Sequence, residues 1–143
     1  MNPTTKKPHP RVRILAKALL LGALSVGTAF AADINVTLSG ANEVPPVTTS
    51  ANGGGTITIG DDGSVSGSVS TTGIAGTAAH IHNGAAGENG PVIVPFTKEG
   101  DTYTAPAGAK LTEAQMASFK AGDLYVNVHS AANPGGEIRG QLK

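Results

Sequence analysis

Two histidines of this chain, His80 and His82, are separated by a single residue. On an extended strand, that spacing places both imidazole rings on one face of a sheet. A third histidine, His129, ends another segment with strand-like alternation, so the three rings converge if the two strands meet at those ends. Copper and zinc bind neutral imidazole nitrogens that converge on one point. The sequence therefore predicts a metal site formed by His80, His82 and His129.

The alternative interpretation of these histidines is structural. A partly buried strand histidine can bind backbone carbonyls with its ring nitrogens, and a lone histidine would favour that role. A His-x-His pair with a further histidine favours a metal instead. Asn127 shares the predicted face of His129 and could hydrogen-bond a ring nitrogen. For a fourth ligand the sequence offers Glu88 or the amino group of a processed N-terminus, and it favours neither.

Residues 1–31 have the features of a signal peptide. Five basic residues precede a mostly apolar run, and Ala29-Phe30-Ala31 supplies small residues at both positions that a signal peptidase recognises. The run is shorter than the about 20 residues that a spanning helix needs, so a retained membrane anchor is the less favoured alternative. We predict cleavage that leaves 32–143 as an exported chain, periplasmic or secreted, with no membrane association. The basic residues are Lys6, Lys7, Arg11, Arg13 and Lys17.

Cleavage would change the charge of the protein. The full chain has ten basic and ten acidic residues, and the leader holds five of the basic residues and no acidic one. The exported chain would therefore carry a formal charge of −5, which repels nucleic acids and anionic lipids. The chain has no cysteine, which excludes thiolate metal sites and cysteine catalysis. Copper is the expected ion, because the compartment is oxidising and the ligands are all imidazole, and zinc is the second candidate.

The pattern of short alternating segments predicts an all-β fold. Seven or eight strands, separated by Gly, Pro and Asp, favour a Greek-key β-sandwich or barrel in one domain, 32–143. Residues 51–55 are predicted to be a flexible turn and 61–63 a hairpin turn. One segment differs, because Thr112-Glu113-Ala114-Gln115 is a capping box and Gly122 can end a helix in the left-handed conformation. A short helix near 112–121 is therefore predicted.

The exported part of the chain resembles a CHRD domain, the module first named from chordin. The resemblance rests on segments 38–46, 79–82 and 124–141, and the last of these, LYVNVHSAANPGGEIRGQ, is long and specific. Asn83 stands where family members often have glycine, which affects only a turn. The resemblance implies an immunoglobulin-like or superoxide-dismutase-like β-barrel. It also implies export, since bacterial members are typically exported single-domain proteins.

A His-x-His strand in such a barrel is also similar to the copper-binding strand of copper/zinc superoxide dismutases. The chain lacks their cysteine pair and their histidine-rich zinc loop, so dismutase activity is the least favoured function. The leading prediction is copper binding for storage, delivery or tolerance. The alternative is a metal-free binding or structural module that recognises a protein, such as a periplasmic partner, or a glycan. No catalytic residue is predicted.

Arg139 and Glu43 suggest a structural contact. A guanidinium in the sheet, near a carboxylate of the proline-rich segment, would pin that segment against the barrel. Glu137 is the competing partner for Arg139.

Overall fold

The computed structural model describes Met1 and residues 30–143. The predicted signal peptide lies almost entirely outside these residues, so cleavage stays a prediction. No helix of the described part of the chain is long and apolar enough to cross a bilayer. The elements are β1 (Ala31–Ser39), a turn of 3-10 helix (Gly40–Asn42), β2 (Asn52–Gly60), β3 (Val65–Thr72), β4 (Gly76–Asn83), β5 (Val92–Pro95), β6 (Thr97–Glu99), β7 (Thr102–Thr104), α1 (Glu113–Ala121), β8 (Leu124–Ser130) and β9 (Ile138–Gln141).

The strands form one antiparallel sheet that nearly closes into a barrel. Its order is β5-β4-β8-β9-β1-β2-β3-β7-β6. The two edge strands, β5 and β6, follow each other in the chain with only Phe96 between them. The amide of Phe96 donates to the carbonyl of Ala79 in β4, so one extended segment joins both edges of the sheet. The predicted all-β class is confirmed, as a single-sheet barrel with more strands than expected.

The helix α1 forms where its capping box predicted it. The Thr112 hydroxyl accepts a hydrogen bond from the Gln115 amide (3.2 Å), and the Gln115 side chain accepts one from the Thr112 amide (2.9 Å). Gly122 ends the helix at φ 82°, where the absence of a Cβ is an advantage. The helix connects β7 to β8, the strand that carries His129.

The prediction of a flexible turn at 51–55 is wrong, because β2 runs through most of this segment. Its glycines allow close approach of the neighbouring strands. A Cβ on Gly54 would lie 2.8 Å from the Val36 carbonyl oxygen of β1, and one on Gly55 would meet the Ser68 carbonyl of β3. Glycine is therefore needed here for packing in a strand rather than for a turn.

The strand β8 separates two different environments. Val126 and Val128 face the barrel interior and are fully buried beside Ile81 of β4. Tyr125 and Asn127 alternate with them and point to the outer face, yet each is only 2% exposed. Two loops cover this part of the outer face, the prolyl loop (43–51) and the glycine loop (84–91). The barrel therefore has an apolar core and, outside β8, a buried polar layer.

Candidate metal centre

The three predicted metal ligands share one face because β4 and β8 pair directly. The pairing is antiparallel, and directly opposed residues point to the same side of the sheet. His129 is consequently the diagonal neighbour of His80 on the outer face. The facing pairs are His80 with Asn127, His82 with Tyr125, and Ala78 with His129.

The predicted reason for the convergence of the three histidines is wrong. The sequence suggested that His82 and His129 meet because each comes at the end of a strand. In the antiparallel pair, however, the C-terminal end of β4 lies beside the N-terminal end of β8. The two strand ends are therefore at opposite ends of the ladder, and the rings meet across the shared face through His80.

The ring nitrogens form a compact cluster. Nδ1 of His80 lies 2.9 Å from Nε2 of His129, and the potential ligand atoms of all three histidines lie within 4.8 Å of one another. Two nitrogens bound to one copper or zinc ion, each at about 2.0–2.1 Å, are about 3–4 Å apart. Small ring movements would therefore place all three nitrogens on one ion.

Backbone carbonyls orient two of the rings. Nδ1 of His82 lies 2.8 Å from the Gly90 carbonyl oxygen, and Nδ1 of His129 lies 2.9 Å from that of Pro134. A carbonyl only accepts, so each Nδ1 carries the proton and each Nε2 keeps its lone pair. The structural interpretation predicted such carbonyl contacts, but they occupy only one nitrogen of each ring. The other nitrogen is in the form that a metal binds.

Burial favours the neutral form of His80 and His82. His82 is only 8% exposed and His80 is half-buried. Burial lowers the pKa of both rings below the ordinary histidine value, and the neighbouring His129 lowers it further. For His82 the Gly90 carbonyl acts in the opposite direction and raises the pKa. Because a metal must compete with protons for these nitrogens, the lowered pKa of His80 and of His82 would favour metal binding by these two rings.

Tyr125 supports His82 from the neighbouring strand. Its ring stacks on the His82 ring with centroids 4.8 Å apart and planes 4° apart. The Arg139 guanidinium lies 3.4 Å from the centroid of the Tyr125 ring. The Tyr125 hydroxyl accepts a hydrogen bond from the Gly90 amide (3.1 Å). Tyr125 therefore also holds Gly90, whose carbonyl orients the His82 ring.

Three buried polar atoms beside the histidines have no hydrogen-bond partner among the described residues. They are Nε2 of His82, Oδ1 of Asn127 and Oε1 of Glu43. Burial raises the pKa of Glu43 to about 7, although the Arg139 charge and the Asn127 side chain lower it. Unpaired buried polar atoms are costly and uncommon in folded proteins. Because three such atoms lie close together beside the histidines, a ligand that interacts with them would be favourable here.

A family model for the CHRD domain matches residues 34–142. The chain belongs to the CHRD domain family. The match confirms the resemblance found in the sequence. A search of curated proteins and a search of solved structures each found no match. The case for a metal centre in this CHRD domain therefore rests on the geometry of its own residues.

Arg139 of the CHRD domain holds a different loop from the one expected. Its guanidinium donates to the Ala85 carbonyl (2.9 Å) and to Oδ1 of Asn89 (3.4 Å), both in the glycine loop. Within residues 30–143, no hydrogen bond joins it to Glu43, although its charge favours the ionised form of that carboxyl. Arg139 is therefore a clamp on the glycine loop that covers Tyr125 and His82.

Glu137, the competing partner, holds the prolyl loop instead. It accepts a hydrogen bond from the Thr49 hydroxyl (2.7 Å) and another from the Ser130 hydroxyl. Hydrogen bonding by Ser130, followed by that of Thr49, keeps the pKa of Glu137 below its usual value. The prolyl loop is held against the sheet as expected. The contact, however, is a hydrogen bond from the Thr49 hydroxyl of the loop to the Glu137 carboxylate, next to β9.

Neither proposed fourth ligand lies with the histidines. Glu88 is exposed and lies outside the cluster. An N-terminus at Ala32 would be far along β1 from Ser39, which pairs with Arg139 near the site. Seven residues of strand between Ala32 and Ser39 span roughly 23 Å. Asn127, considered in the sequence only as a hydrogen-bond partner, is the polar residue that the register places among the histidines.

Sequence reasoning did not single out Tyr125. The signal was present in the alternation of β8, which places Tyr125, Asn127 and His129 on the same face. In the sequence, His129 is a predicted ligand, whereas Tyr125 stands out only as a residue of the segment 124–141 that resembles the CHRD domain. The pairing with β4 is what places Tyr125 against His82, a candidate metal ligand.

Proposed function

We propose that this CHRD domain is an exported protein that binds one copper ion through His80, His82 and His129, for copper storage, delivery or tolerance. The observation that carries the proposal is the convergence of the three histidines within 4.8 Å. Among the described residues, this is the one group of three or more His, Asp or Glu side chains with such geometry. A carbonyl also holds Nδ1 of His82 and of His129, which leaves Nε2 of each ring directed into the cluster, where Nε2 of His129 contacts Nδ1 of His80.

The surroundings of the cluster fit a site that exchanges its ion. His82 is buried, whereas His80 and His129 are half-buried, so an ion has access from solvent. Three imidazoles suit both copper and zinc, and copper leads because the proposed compartment is oxidising. Export itself rests on the features of residues 1–31, and it is part of the proposal.

Titration of the purified protein with Cu(II) and with Zn(II), followed by calorimetry, tests the proposal. We expect one ion per chain, with tighter binding of copper. The double variant His80→Ala/His82→Ala should bind at least about a hundredfold more weakly, since two of three ligands are gone. Ser66→Ala, an exposed hydroxyl on β3, is the matched control and should bind as the unaltered protein does. Equal weak binding by all three proteins would end the proposal.

A groove favours one second candidate function, a metal-free module that recognises a protein or a glycan. The groove has a volume of about 690 Å³ and lies between the prolyl loop, the glycine loop and the last residues of the chain. The metal content of protein purified from its native compartment separates the two candidates. Stoichiometric copper supports the first, and protein without metal supports the second. Superoxide consumption by the copper-loaded form would instead point to a dismutase.

A further inference from the structure

Asn127 lies at the centre of the histidine cluster. It faces His80 directly across the strand pair, His82 is its diagonal neighbour, and His129 follows two residues later on the same face of β8. Facing residues have Cβ atoms about 4.5–5.5 Å apart. Asn127 is therefore the one side chain of β8 that the register places beside all three candidate ligands.

Two neighbouring side chains at this position each have a buried hydrogen-bond acceptor that has no donor among the described residues. His82 has its proton on Nδ1, towards Gly90, so its buried Nε2 offers a lone pair. Asn127 directs its amide NH₂ to the Gly135 carbonyl (3.4 Å), which leaves Oδ1 buried and without a hydrogen-bond partner among residues 30–143. A cation between the two atoms would satisfy both.

We propose that Oδ1 of Asn127 is the fourth ligand of the metal centre, which makes it a site of three imidazoles and one amide oxygen. This inference rests on the proposed function, because it assumes that the three histidines bind an ion. It also predicts that the site prefers a divalent ion to a monovalent one. Oxygen ligands suit divalent ions, whereas Cu(I) favours soft ligands. The centre should therefore stabilise Cu(II) or Zn(II) more than Cu(I).

Glu43 lies beside the amide group of Asn127. Gly136, at φ 129°, leaves the space for this contact, because a Cβ there would lie 2.5 Å from both Asn127 Nδ2 and Glu43 Oε1. A carboxylate beside the NH₂ group increases the electron density on Oδ1, as carboxylates do for metal-bound histidines.

The test compares Asn127→Leu and Asn127→Asp with the unaltered protein. Leu removes the oxygen at similar volume, and Asp keeps an oxygen and adds charge. Glu88→Ala, an exposed carboxylate of the glycine loop, is the matched control. Cu(II) affinity is measured by calorimetry, Cu(I) affinity by competition with a chromophoric chelator, and Cu(II) coordination by electron paramagnetic resonance. Circular dichroism establishes that each variant is folded.

We expect Asn127→Leu to weaken Cu(II) binding about 10- to 100-fold, a range typical when a residue that supports a metal is lost. Its Cu(I) affinity should change less than about threefold, and its Cu(II) spectrum should shift. Asn127→Asp should bind Cu(II) at least as tightly as the unaltered protein. Glu88→Ala should match the unaltered protein in every measurement.

The outcomes separate this inference from the proposed function. If the unaltered protein binds neither Cu(II) nor Zn(II), both fail. If it binds Cu(II) through the histidines while folded Asn127→Leu keeps the same affinity and spectrum, only the inference fails. If Asn127→Leu does not fold, Asn127→Asp decides: a Cu(II) spectrum and affinity identical to those of the unaltered protein would overturn the oxygen ligand.

Discussion

Of two buried carboxylates, Glu137 contacts the prolyl loop and Glu43 belongs to it, and their surroundings differ. Glu137 accepts hydrogen bonds from Ser130 and Thr49, which keep its pKa below the usual value. Oε1 of Glu43 has no hydrogen-bond partner among residues 30–143, and burial raises the pKa of Glu43 to about 7. In the first region, the Glu137 cluster (Glu137, Ser130 and Thr49), hydroxyl groups supply the hydrogen bonds to the carboxylate. The second, the Glu43 cluster (Glu43, Asn127 and His82), has three acceptor atoms for which the described part of the chain supplies no donor.

The difference suggests how buried polar groups can be interpreted in this barrel. A polar group that is fully hydrogen-bonded stabilises the fold and holds a loop in place. A group of buried acceptors without donors destabilises the metal-free protein, and it is expected where a ligand supplies the missing charge. The Glu137 cluster is therefore interpreted as structural and the Glu43 cluster as part of the binding site. Each of the following predictions tests one side of that contrast.

The largest expected effect is the pH dependence of copper binding. His80 and His82 must be neutral to bind, so protons compete with the metal at low pH. With two such rings, affinity should fall by up to about a hundredfold for each pH unit once both titrate. Because burial lowers the pKa of both rings, the fall should begin below the ordinary histidine value of 6.5. Cu(II) titrations between pH 4 and 8 measure it, and an affinity independent of pH would remove histidines from the site.

Arg139→Ala should cause the next largest change. Arg139 is only 1% exposed, holds Ala85 and stacks on Tyr125, so its loss leaves a cavity and an unpaired carbonyl. We expect a loss of about 3 kcal/mol in the free energy of unfolding, with Cu(II) affinity changed less than about threefold. Denaturant unfolding measures the first quantity, with the exposed Lys120→Ala as control. Lower copper affinity at unchanged stability would show that Arg139 belongs to the binding region.

Ser130→Ala tests the Glu137 cluster. The variant removes one donor from Glu137, and losing a hydrogen bond to a buried charged group costs about 2 kcal/mol. Glu137 has a lowered pKa in the folded state, so its contribution is present above its unfolded value of 4.5 and is lost as pH falls. The deficit of the variant should therefore be largest near pH 7 and smaller near pH 3. Ser66→Ala is the control, and equal stability of the two variants would contradict the contrast.

Glu43→Gln should have the smallest effect and the opposite sign. The folded-state pKa of Glu43 is about 7, above its unfolded value of 4.5, so stability is lost as pH rises between these values. A neutral amide avoids that loss. We expect the metal-free variant to equal the unaltered protein at pH 4 and to exceed its stability at pH 8 by about 1–2 kcal/mol, allowing for solvent screening. Thermal unfolding at both pH values measures this, and lower stability of the variant at pH 8 would contradict it.

Local patterns predicted much of the fold. The capping box at Thr112 and the left-handed Gly122 involve residues a few positions apart, so the sequence was enough to place α1. The hairpin turn at 61–63 was predicted for the same reason, and β2 and β3 pair across it. The segment 51–55 was misassigned because its glycines serve contacts with two other strands, which no local pattern encodes. The partner of Arg139 was missed because it lies 54 positions away in the glycine loop, and no local pattern connects that loop with β9.

The sequence by itself determined which side chains share a face, because the two-residue period of a strand is a property of the local backbone. It thereby placed His80 with His82, and Asn127 with His129. Only the tertiary structure decided that β4 pairs with β8, that His80 meets His129 across 49 positions of the chain, and that two loops bury the space between them. Strand pairing depends on the burial of distant segments in one common core, and that pairing turned separated histidines into one candidate site.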